Sequence, residues 1–190
     1  MSERTGVLIA LLVTAGVCSL AAQTSGVDQA VLAKANAGDA SAQVQAGQAV
    51  ASHDLALAAE WYKKAADQGN VSGEMHLAAL YRDGGKGFPR DMVQAAVWYR
   101  KAAEQGDPVA QGTLATLYMV GQGVEHSDVE AYYWFDLAAA VNGAHQSQYA
   151  ANRQMAGARI TADELADVQD RVAKWKAAHP RADSVPVSAP

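Results

Sequence analysis

The sequence predicts an all-α protein built as a solenoid of helical hairpins, and three observations predict it. A ten-residue block recurs: Glu60-Trp61-Tyr62-Lys63-Lys64-Ala65-Ala66-Asp67-Gln68-Gly69 returns 37 residues on as Val97-Trp98-Tyr99-Arg100-Lys101-Ala102-Ala103-Glu104-Gln105-Gly106, and again, more worn, as Trp134-Phe135-Asp136-Leu137-Ala138-Ala139. A fixed period of this size marks stacked supersecondary units. Between these blocks Leu77, Leu80 and Tyr81 reappear at the same period as Leu114, Leu117 and Tyr118, at spacings that set one face of a 3.6-residue helix. Finally, half the residues are apolar but only 7% are aromatic, and 42 are alanine, so the apolar content is mostly small side chains suited to closely packed helices.

The 190 residues suffice for one domain with its own core. Fifteen Lys and Arg against twenty Asp and Glu leave a net charge of −5, which excludes a basic footprint for nucleic acid. Residues Gly6 to Leu20 form an apolar run short of a comfortable membrane span but long enough for the core of a secretory leader. Small residues at Ser19, Ala21 and Ala22 follow, so residues 1–22 read as a signal peptide cleaved after Ala21 or Ala22. The alternatives are an uncleaved membrane anchor, or lipidation of Cys18, which bulky Val17 disfavours. Cys18 is the only cysteine, so a mature chain has no disulfide and no thiol nucleophile.

In chain order, 27–37 reads as an N-terminal capping helix. Residues 38–69 are a reduced first repeat, 70–106 the second and 107–143 the third. Within a repeat the first helix runs from about Gly69 to Arg82, then from Gly106 to Met119, with a small residue at Gly73 and Ala110. Asp54 and Asp91 are placed to cap the second helices, whose stripes are Ala58, Trp61, Tyr62 and Ala65, then Ala95, Trp98, Tyr99 and Ala102. Gly69, Gly106 and Gly143 follow these stripes as left-handed C-terminal caps. The glycines of Gly84-Gly85-Lys86-Gly87 and Gly121-Gln122-Gly123 serve turns between helices, since a phosphate loop follows a strand and these do not. Residues 144–179 form a C-terminal helical cap. Thr161 and Glu164 make a capping box, and Leu165, Val168, Val172 and Trp175 a stripe that packs on a helix at about Gln146 to Met155. A partner-binding amphipathic helix is the alternative there. Residues 180–190 read as a disordered tail.

With these residues in view, the chain resembles the Sel1-like repeat family, relatives of the tetratricopeptide repeats. The likeness rests on Leu77 to Tyr81, Gly84, Gly87, Asp91, Ala95 and Trp98 to Ala103. It rests also on Ala110-Gln111, Leu114, Tyr118, Gly121 to Val124, Ala131 and Trp134. It covers roughly Gly38 to Gly143, and the first repeat departs from it: Ala46 and Val50 stand where leucine and tyrosine are expected, and its inter-helix loop is six residues shorter. The resemblance implies a right-handed α/α solenoid with a concave groove lined by Ser41, Val44, Gln48, Ser72, Met75, Ala79, Arg82, Thr116 and Met119. Met75 and Met119 would be adaptable apolar contacts there, and Arg82 a holder of carboxylates.

Catalytic chemistry finds little support. His53, His76, His126, His145 and His179 lie in different places, none at metal-ligand spacing, and no nucleophile elbow is present. No metal site, catalytic residue or cofactor is expected. Trp61, Trp98 and Trp134 hold one repeat position and so serve packing rather than a ligand. The expected function is an exported, periplasmic or secreted scaffold or adaptor that binds another protein or a peptide segment, with membrane contact only if the leader is retained or Cys18 lipidated. The alternative is a cell-envelope enzyme or accessory recognising peptidoglycan peptide or glycan in the same groove.

Overall fold

The computed structural model describes residues 27–141 and 143–180, and among these it forms nine helices and no strand. The signal-peptide segment 1–22 and the tail from Arg181 lie outside the described residues. The helices are α1 (Gln29–Asn36), α2 (Ala40–Val50), α3 (Leu55–Ala66), α4 (Val71–Asp83), α5 (Met92–Glu104), α6 (Pro108–Val120), α7 (Asp128–Ala139), α8 (Gln146–Gly157) and α9 (Ala162–Ala178). The all-α, helix-turn-helix repeat class predicted from the period is the class the chain adopts. Among the described residues, no helix is long and apolar enough to cross a membrane.

The chain divides into two compact units. One holds α1 to α3, α4 as far as Leu80 and the loop Gly84–Pro89; the other holds Tyr81–Asp83 and the described chain from Arg90 onward. In the first, α1 packs on α2 and α2 on α3. Small residues let these backbones approach: a Cβ at Gly47 would lie 2.5 Å from Tyr62 Cε1, and one at Gly73 2.8 Å from the Ala65 Cβ. In the second unit α5 packs on α6, α6 on α7 and α7 on α8, and Tyr99, Leu114, Phe135, Leu137 and Val168 are fully buried there. Each such side chain contributes roughly 1.5–3 kcal/mol by leaving water.

The repeat is also written in its polar bonds. The carboxylates of Asp54 and Asp91 and the hydroxyl of Ser127 accept from the amides of Leu57, Gln94 and Glu130, capping α3, α5 and α7. The first helices have caps of their own in Asp39, Asn70 and Asp107, whose side chains accept from Ala42, Gly73 and Ala110. Gly69 (φ 77°) and Gly106 (φ 91°) are left-handed, as a residue without Cβ tolerates. The loop of each hairpin returns to one anchor: the amides of Asp54, Asp91 and Ser127 donate to the carbonyls of Val50, Tyr81 and Tyr118 at 2.9, 2.8 and 3.1 Å. The short loop of the first repeat therefore reaches the anchor that the longer loops reach.

Trp61, Trp98 and Trp134 are 4%, 6% and 4% exposed. The ammonium groups of Lys64 and Lys101, one helical turn on, lie 4.2 and 3.8 Å from the ring centroids of Trp61 and Trp98, a cation–π cover. Leu137 stands at that place in the third copy. These rings are core, with no open face for a ligand.

The capping box forms as expected, with the Thr161 hydroxyl accepting from the Glu164 amide and the Glu164 carboxylate accepting from the Thr161 amide. One expectation is corrected. Helix α9 packs on α7, not on α8. The reason is charge as well as apolar contact: Lys176 reaches Asp136 at 2.7 Å, Arg171 reaches Glu130 at 2.8 Å and lies over the Tyr133 ring, and Val168 and Val172 are buried beneath.

Candidate docking cleft

One cleft lies wholly within the second unit. It encloses about 710 Å³ and is built on α6, with the end of α4, the start of α5 and α8 around it. Helix α6 begins cleanly because Asp107 caps it and Pro108 occupies its first turn, where no amide is missed. Ala110, Gln111, Leu114, Ala115, Leu117 and Tyr118 are buried; Val109, Thr113 and Thr116 face the cleft, with Gly112 buried at its base. The hydroxyls of Thr113 and Thr116 donate to the carbonyls of Val109 and Gly112, at 2.7 and 2.9 Å, so toward the cleft they offer lone pairs.

Helix α8 supplies the facing wall with His145, Gln148 and Tyr149. The Tyr149 ring sits where any Cβ at position 112 would stand, so Gly112 is what lets the wall close down on the floor. Burial, and then the Asp107 carboxylate, push the Tyr149 hydroxyl above the usual tyrosine range.

At the rim, Arg82 makes two 2.8 Å bonds to Asp83 and donates to the Tyr99 hydroxyl at 3.0 Å. Asp83 holds Arg82 above its ordinary pKa through that bond, and Arg82 in turn holds Asp83 below the usual carboxylate range. Tyr99 is raised, chiefly by burial. The Arg82 and Asp83 side chains are 42% and 60% exposed, so the pair adds little stability. Its effect is to fix the guanidinium fork on a partner within the chain. Arg90, Met92 and Gln122 complete the lining.

Of the nine residues predicted to face a groove, Arg82 and Thr116 line this cleft. Met119 is half-buried on α6 and does not line it. In the first unit Ser41, Gln48 and Ser72 are exposed, Met75 and Ala79 half-buried, and Val44 is 6% exposed and belongs to the core. Gln48 Nε2 lies 2.9 Å from His76 Nε2, and the His76 ring stacks on Tyr62 at 4.8 Å. The α8 residues and Gly112 escaped the sequence reading, although one further period from Gly106 to Met119 lands on α8. Other clefts in this unit are lined by Tyr132, Arg153 and Leu165 among others (about 620 Å³), and by Arg100, Glu125, His126 and Glu130 among others (about 560 Å³). Among the described residues no group of three or more His, Cys, Asp or Glu is placed to hold a metal ion.

Comparison with known proteins supplies the family. The family model described as Sel1 repeat matches three times, over residues 35–70, 71–107 and 108–142, more than half of the chain. Among solved structures the chain is similar to a protective antigen present in uropathogenic Escherichia coli strains and displaying an SLR fold, with 32% identity and a TM-score of 0.65 over 77% of this chain. It spans only 32% of that protein. It is also similar to a Sel1 repeat protein from Oxalobacter formigenes, at 29% identity and a TM-score of 0.56, covering 62% of this chain and 92% of that one. No curated protein sequence gives a significant match. Sel1 repeat proteins generally bind other proteins as interaction scaffolds and are typically not enzymes. With three matched repeats carrying their tryptophans, caps and turn glycines at one register, the chain belongs to the Sel1 repeat family.

Proposed function

We propose that this protein is an exported scaffold or adaptor that holds another protein, or a peptide segment of one, on the face presented by its first helices, and that it performs no catalysis. The single observation that supports this most is the 710 Å³ cleft of the second unit, where apolar and polar side chains meet on one exposed face. The tryptophan positions that invite a ligand elsewhere are buried, Trp61 and Trp98 under their own lysines, which leaves the first helices as the surface for recognition. Export rests on the leader-like run Gly6 to Leu20, and places the adaptor in the periplasm or outside the cell.

Co-purification of the tagged full-length chain from its native cells tests the binding. Thr116→Lys, on the cleft floor, should abolish recovery of the bound protein, while Val93→Lys, exposed on α5, should leave it intact. Equal recovery with both variants would overturn the assignment of the face. Mass spectrometry of the mature amino terminus tests export: a start near Ala22 or Gln23 supports it, and an intact Met1 contradicts it.

A further inference from the structure

Resting on that reading of the cleft, we infer that its occupant is an extended, acidic segment of a protein partner, with a carboxylate on Arg90 and an apolar side chain between Val109 and Tyr149. The charge argument comes first. The chain is acidic overall, and in the other clefts the cations face compensation: Arg153 is held by Asp136 at 2.6 Å, and Arg100 shares its cleft with Glu125 and Glu130. In the docking cleft two cations share one lining carboxylate: Asp83 is bonded to Arg82 and also lies in the field of Arg90. Arg90 lines the same cleft, is exposed, and makes no hydrogen bond or ion pair with the described residues. The lining therefore carries one net positive charge, which an acidic segment complements.

Hydrogen bonding argues for an extended segment. Thr113 and Thr116 have used their protons on their own helix and present acceptors only. Gln122 and Gln148 stand exposed at the cleft with side-chain amides that bond to nothing else in the described chain. A helix arrives with its backbone amides already bonded, whereas an extended chain brings free N–H and C=O groups that match these acceptors and donors. Val109, 44% exposed, and the Tyr149 ring supply the apolar contact between them.

Panning a displayed library of random dodecapeptides on the full-length chain tests this. The expected result is a selected pool rich in Asp and Glu, with affinity that weakens as salt rises. A representative selected peptide should lose about tenfold in affinity to Arg90→Glu. It should also weaken with Gln148→Glu and stay unchanged with Lys86→Glu, on an exposed loop of the first unit. All three positions are exposed, and circular dichroism of each variant confirms that it folds. A selected pool without acidic excess, or an acidic pool indifferent to Arg90→Glu, overturns the inference while leaving the cleft as a docking site. A library that yields no binder at all counts against the docking reading itself.

Discussion

Gln43 and Gln111 occupy one repeat position, and replacing each by leucine should move stability in opposite directions. Both side chains are buried, and each donates from Nε2 to a carbonyl eight residues back, Ala35 and Ala103, at 3.1 Å. Their acceptor oxygens differ. Gln43 Oε1 accepts from Gln68 Nε2 at 2.8 Å, whereas Gln111 Oε1 is buried and has no partner among the described residues. Leucine nearly matches glutamine in volume and helix propensity, so the comparison isolates the polar terms. Gln43→Leu forfeits two bonds at about 1 kcal/mol each, against a partial return from apolar burial, for a net loss of roughly 1 kcal/mol. Gln111→Leu forfeits one bond but removes a stranded acceptor that costs roughly 1–3 kcal/mol, for a net gain of about 1 kcal/mol. Neither carbonyl is orphaned, because the amides of Gly38 and Gly106 still donate to Ala35 and Ala103. The Tm values of the two variants should differ by roughly 4–8 °C, with a matching difference in urea midpoint. If Gln111→Leu destabilises as much as Gln43→Leu, the reasoning fails.

Three further outcomes follow from the same packing. Leu114→Ala, at a fully buried site on α6, should cost roughly 2–5 kcal/mol in chemical denaturation, and a loss below 1 kcal/mol would mean that α6 does not carry the core. Gly123→Ala should destabilise strongly, because residue 123 is left-handed at φ 71° and an added Cβ would run into the Met92 carbonyl; a stability scan reads it, and a neutral result refutes the placement of that turn. His76 is held below the ordinary histidine pKa by burial, so the unfolded chain binds its proton more tightly. Its contribution is complete above the unfolded pKa of about 6.5 and declines as pH falls toward the folded value. Stability curves across that window should flatten in His76→Phe, and an unchanged slope would discard the effect.

The fold was legible because the second and third units repeat their cues together, tryptophan and alanine on the second helix, leucine and tyrosine on the first, glycine at the turns, and the first unit keeps the tryptophan block. Asp54 and Asp91 announced their helices through capping chemistry that is local in sequence. The degenerate first repeat was legible as a reduced unit, but the return of its short loop was not, since the bond from the Asp54 amide to the Val50 carbonyl depends on where the chain returns rather than on which residues it contains. The same limit applies to α9, whose stripe was visible while its choice of α7 depended on Asp136 and Glu130, distant in sequence. At the cleft, Arg82 and Thr116 were visible as first-helix surface. Tyr149 and Gly112 were not, because their pairing joins a worn fourth helix to a missing Cβ. Arg82 illustrates a subtler gap: its charge was evident, but its engagement by the neighbouring Asp83 requires side-chain geometry.

The most direct test of the central claim, docking on the first-helix face, is site-specific photo-crosslinking in the native cell. A benzophenone amino acid in place of Thr116 should yield one discrete adduct with a partner protein, and the same probe in place of Val97, exposed on the second helix α5, should yield none. Adducts at Val97 with none at Thr116 would contradict the account.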